Sequence, residues 1–132
     1  MADTTTLEDI INSFHTHPLV QKAFPEGLEV AWFESALAYY ELEINELDYN
    51  DTEQQFNSKL NKSVIYTLGL LMYIEYLTRE LDRIQKLNGF HGKDIQLTGS
   101  DESKRTTKAN LELELERSNQ LLHKQKVHGY NN

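Results

Sequence analysis

The strongest constraint on this chain is a helical pattern between Thr52 and Asn88 whose middle is apolar on nearly every side. Phe56, Leu60, Val64, Leu68, Leu71, Leu77, Leu81, Ile84 and Leu87 recur at helical spacing. Between Val64 and Leu77 further apolar residues fill the gaps, so neighbouring elements must cover this stretch on most sides. Asp51 or Thr52 supplies an N-cap, and Asn88-Gly89 a C-terminal stop. An unbroken helix over these residues extends ~55 Å, whereas a compact domain of this size is roughly 36 Å across. The helix therefore either kinks at Gly69 or projects towards a partner. The apolar run is shorter than the ~20 residues that span a bilayer; it predicts a core helix and no membrane partner. Met1–Thr6 lacks the basic and apolar regions of a signal peptide.

Three shorter helices are expected before it. Leu7, Ile10, Ile11 and Phe14 form a stripe over Leu7–His15, with Thr6 as N-cap and Asp9 three residues on. Pro18 suits the first turn of a second helix, His17–Phe24, ended by Pro25 and Gly27. The third spans Leu28–Leu47. Its apolar set is Phe33, Ala36, Leu37, Tyr40, Ile44 and Leu47, and Glu29, Glu34, Glu41, Glu43 and Glu46 give it an acidic outer face.

After the long helix, Gly89, Gly92 and Gly99 punctuate a polar stretch to about Thr107, in which Lys93–Thr98 alternates as a short β-arm would. A connection of this length inside a small domain is usually functional or disordered, and Ile95 and Leu97 argue against simple disorder. A last helix begins near 100–103 and reaches Lys126, with Leu111, Leu115 and Leu122 on one face. Asn110–Glu116 also alternates with period two, which leaves a strand open, but Leu and Glu favour helix. The expected fold is all-α: one domain, residues 1–126, bundled around a long central helix, with an extended glycine-punctuated loop or β-arm at about 89–107. Residues 127–132 form a flexible or docking tail.

The residues that chemistry would need are missing or scattered. The chain has no cysteine, which excludes thiolate sites and disulfides. Its five histidines show no metal-ligand spacing, and Glu-x-x-His, the di-iron signature of helical bundles, does not occur. Gly89–Lys93 is glycine-rich, but it follows a helix and lacks the spacing of a phosphate loop. Glu75 stands alone inside the apolar run and is expected to pair outward with Arg79 at i+4. No enzyme, cofactor or metal centre is expected.

The net charge of −8 is split unevenly. Residues 1–58 carry 12 acids and one base, Lys22, whereas residues 59–132 carry 12 bases and 9 acids. An acidic total argues against a sequence-specific DNA binder, and the split can orient the protein against a charged partner or another copy.

An acidic helical N-terminal region, a long apolar helix, a glycine-punctuated loop (NGFHGKDIQLTGSDESKRTTK) and a final helix ending LLHKQKVHGY follow in turn. This layout resembles the head-to-tail connector, or neck, proteins of tailed bacteriophages. The resemblance implies a structural protein made in the host cytoplasm and built into the virion neck. It would form a ring of about twelve copies between the portal and the tail proteins, with packaged DNA passing through the lumen. Contacts with the next subunit or the portal would fall on Lys93, Ile95, Leu97, Lys104, Arg105, Lys108, Lys124, Lys126, His128 and Tyr130. Glu29, Glu34, Glu41, Glu43 and Glu46 would face the lumen, where like charge keeps DNA from adhering. The competing expectation is a non-catalytic helical adaptor or regulatory protein that binds one partner through a groove.

Overall fold

Thr6 caps the first helix as its spacing to Asp9 requires: its hydroxyl accepts from the Asp9 N–H, and the Asp9 carboxylate accepts from the Thr6 N–H. The computed structural model describes residues 4–20, 24–91 and 99–130, and these are mostly helical. The helices are α1 (Leu7–His15), α2 (Glu26–Glu43), α3 (Lys62–His91) and α4 (Gly99–Tyr130). A small antiparallel ribbon, β1 (Tyr49–Asn50) and β2 (Gln55–Phe56), lies between α2 and α3.

α3 packs against α1, α2 and α4, and α1 also touches α2. Every residue from Thr67 to Tyr73 is buried, as expected of a helix segment apolar on all sides. α4 runs antiparallel to α3, since Asn119 and Leu122 lie near Leu71 and Ile74 while Thr107 and Leu111 lie near Ile84. α1 and α2 meet α3 through an aromatic cluster: Phe14, Phe24, Trp32 and Tyr76 have ring centroids 5.1–6.2 Å apart. Full burial of a side chain such as Phe14 contributes about 1.5–3 kcal/mol.

Several boundaries differ from the sequence reading. α3 begins at Lys62, not Thr52, with the Asn61 carbonyl accepting from the Val64 and Ile65 N–H groups at 3.0 and 3.1 Å. The residues before it turn back as a hairpin. The Asn50 side-chain carbonyl accepts from the Thr52 and Glu53 N–H groups, and Gln54 takes φ 54°. The N-terminal chain then adds to the ribbon: the Thr5 carbonyl accepts from Phe56 N–H at 2.8 Å, and Leu7 N–H donates to the Gln54 carbonyl at 2.9 Å. Phe56 is thus buried as a strand residue, against Phe33 and Tyr49.

Residues 16–20 form turns rather than the start of a helix, and 21–23 lie outside the described residues. That segment lies over α3: the His17 ring stacks on Tyr73, and the Leu19 carbonyl accepts from the Tyr76 hydroxyl at 3.2 Å. α2 stops at Glu43, short of Leu47. α3 continues to His91 and α4 starts at Gly99, so helix occupies much of the stretch expected to be a loop; the Lys93–Thr98 arm lies outside the described residues. Asn110–Glu116 is helical, and α4 runs beyond Lys126 to Tyr130, through most of the expected tail.

Gly69 does not break α3, which is continuous through it. It is instead a place where α1 lies close against α3. A Cβ at this position would lie 2.6 Å from Ser13 Oγ, 2.9 Å from Ser13 Cβ and 3.0 Å from Phe14 N.

Candidate assembly surface

Between Gly27 and Glu43 the exposed residues of α2 are Gly27, Ala31, Glu34, Ser35, Ala38 and Leu42. Apart from Glu34 they are uncharged, and they recur at intervals of three and four, which places them along one face. The opposite face carries the buried Trp32, Phe33, Ala36 and Tyr40. α2 therefore carries, besides its buried apolar face, a narrow outward strip of small residues edged by Glu34.

Three of the five glutamates expected on the outer face of this helix make contacts within the chain. Glu29 pairs with His15 of α1. Glu41 accepts from the Leu47 N–H at 3.0 Å and holds the turn after the helix. Glu43 lies 3.9 Å from Lys126 of α4. Glu34 and Glu46, the latter beyond the helix, are the exposed members of the set.

The basic set divides similarly. Lys93, Ile95 and Leu97 lie outside the described residues, and Lys104, His128 and Tyr130 fall on the α4 backbone. Arg105 and Lys124 are exposed, and Lys108 is half-buried. Lys126 Nζ, besides its Glu43 partner, sits 5.1 Å from the centre of the Tyr39 ring. It anchors α4 to α2 within the same molecule.

Leu42 and Leu113, 83% and 68% exposed, are the large hydrophobic side chains left in solvent among the described residues. Sequence reading singled out neither. The signal for Leu113 was the NLELELE alternation: in a helix, alternate leucines cannot share a face, so Leu111 is buried and Leu113 points outward. The signal for Leu42 was the run Ala31, Ser35, Ala38, Leu42 at helical spacing opposite the aromatic positions.

Inside the bundle, His17 lies flat on Tyr73, with centroids 4.3 Å apart and planes 13° apart, and Tyr66 is 5.8 Å away. Its Nε2 is buried with no hydrogen-bond partner. Burial lowers its pKa, Glu114 opposes that shift and Arg117 reinforces it. The Tyr73 hydroxyl is buried near Glu114 and the Leu19 carbonyl but makes a well-formed hydrogen bond to neither; burial foremost, then Glu114, raises its pKa. Burial likewise raises Tyr40, Tyr49 and Tyr76.

Glu75 accepts a 2.7 Å hydrogen bond from the Ser35 hydroxyl of α2, in place of the outward pairing expected with Arg79. It borders a cleft of about 210 Å³ between α2, α3 and α4, lined chiefly by Ala36, Tyr39, Leu71, Ile74 and Leu122. Among the described residues no three His, Asp or Glu side chains converge as metal ligands, and no helix is long and apolar enough to cross a membrane. Compared with protein-family models, curated proteins and solved structures, the chain matches none of them.

Proposed function

We propose that this chain is a structural assembly protein: a connector whose copies form a ring between the portal and the tail of a phage particle, with DNA passing through the lumen. The observation that carries the reading is the outward face of α2, where Ala31, Ala38 and Leu42, the last 83% exposed, lie between Glu34 on one edge and Ser35, bonded to Glu75, on the other. A strip of small apolar residues ending in a large exposed leucine suits a protein neighbour better than water. The charge split adds support, because an acidic N-terminal half and a mildly basic C-terminal half on one molecule favour ordered contacts between copies.

In this reading α3 is the central axis of the domain. Arg105 and Lys124 add exposed charge to the contacts between copies. The protein acts in the virion neck after synthesis in the host cytoplasm, and it works without catalysis or cofactor.

The same α2 face also fits an adaptor that receives one helix from another protein. Light scattering and negative-stain images of the purified chain, with and without a portal protein, separate the two. The connector reading expects a closed ring seated on the portal. Persistent monomers that bind no portal contradict it, and a compact one-to-one complex with a different protein favours the adaptor.

A further inference from the structure

The outward face of α4 is the counterpart of the outward face of α2. Ala109, Leu113, Arg117, Gln120 and Lys124 recur at helical spacing and are all exposed, with Arg105 at the edge of the same face. Leu113 is its one large apolar residue, and Ala109 precedes it by one turn, as Ala38 precedes Leu42 on α2. Charge runs the opposite way on the two helices. The α4 face carries Arg105, Arg117 and Lys124 against Glu112 and Glu116, a small basic excess, with Arg117 only loosely held by Glu114 at 3.8 Å. The α2 face has Glu34 along one edge and Glu46 beyond its end, with no base between Gly27 and Glu43.

We propose that the α2 face of one copy receives the α4 face of a second copy. Leu113 enters the shallow track formed by Ala31, Ser35 and Ala38, Leu42 covers the apolar surface beside Ala109, and the bases of α4 meet the acids bordering α2. Small residues along α2 let the helix axes approach to the short end of the ~8–10 Å range of packed helices. The two faces belong to different elements, so the contact is head-to-tail. Each copy keeps one unused face of each kind, and the series closes as a ring or continues as a filament. This inference rests on the assembly reading above and names its interface. One helix pair falls below the ~1,200 Å² of a stable standard interface, so isolated pairs exchange and closure of the ring adds the remaining stability.

Two surface variants of the full chain test it by sedimentation at high protein concentration. Leu42→Asp blocks the α2 face and Leu113→Asp the α4 face; both sites are exposed, so folding is retained. The wild type should self-associate, more weakly as salt rises from roughly 0.05 to 0.5 M because the charged contacts are screened. Each variant alone should associate at least about tenfold more weakly, corresponding to 1.4 kcal/mol. An equal mixture of the two should form dimers and nothing larger, since one intact pair of faces remains. If either variant loses its helical circular dichroism, Ala38→Trp or Ala109→Trp replaces it on the same face.

Variants that associate like the wild type overturn the interface, even if rings still form on a portal. Loss of association in Leu42→Asp but not in Leu113→Asp also overturns it, in favour of α2 against α2. A wild type that is monomeric at every concentration and salt overturns it too, and portal binding then decides the connector reading separately.

Discussion

Gly69 shows how a single residue can be misjudged when its neighbours in space are unknown. A glycine inside a long apolar helix suggests a break, since it weakens a helix by about 1 kcal/mol relative to alanine. The structure uses it for proximity: Ser13 and the Phe14 backbone occupy the place of its missing side chain. Gly69→Ala should therefore destabilise the protein by about 1–3 kcal/mol, the usual range for overpacking, despite the gain in helix propensity. Urea unfolding measures this, and a variant more stable than the wild type would refute the close approach. His17 was legible only as one of five scattered histidines, because its partner Tyr73 comes from another element. Its lowered pKa makes a signed prediction. Above the ordinary imidazole value of 6.5 its contribution is complete. As pH falls below that value the unfolded chain takes up a proton first, and stability declines towards the lowered folded-state pKa. His17→Phe keeps the ring stack and removes the titration, so its stability should fall less over this interval. Equal slopes for the two proteins would contradict the assignment.

At the scale of elements, helices with local signals were readable and the ribbon was not. α1 follows from its stripe and capping box, and α4 from Leu and Glu propensities that prevail over a period-two pattern. Nothing local distinguishes Asp51–Leu60 from a helix, because Phe56 and Leu60 are also four apart. What decides is a long-range pairing: Thr5 and Leu7 exchange backbone hydrogen bonds with Phe56 and Gln54, and the Thr5 hydroxyl accepts from Leu60 N–H at 2.8 Å. The hairpin holds Gln54 at φ 54°, a region that costs a residue with a Cβ roughly 1–2 kcal/mol. Gln54→Gly should raise stability by about 0.5–1 kcal/mol once the greater flexibility of the unfolded chain is deducted. An unchanged or lowered thermal midpoint would show that the turn gains nothing from glycine.

For the whole molecule, composition and pattern led to the all-α class, whereas the surface needed coordinates. Five glutamates in the α2 region suggested an acidic wall. Three of them instead serve His15, the Leu47 N–H and Lys126, and the outward side is shared by Glu34 with alanine, serine and leucine. Sequence spacing places residues on faces but does not say which face a second layer will cover. The candidate surface thus emerged from an excess: a strip of small apolar residues that the fold does not consume. The central claim is that this face is an interface. Because the chain has no cysteine, Ala38→Cys provides a single thiol in the middle of it. Its rate of modification by a thiol reagent can be compared in dilute, high-salt solution and under conditions that favour assembly. The account predicts at least about tenfold protection on assembly, the mark of a thiol buried in a contact. A thiol that reacts equally fast in assembled and dispersed protein would contradict it.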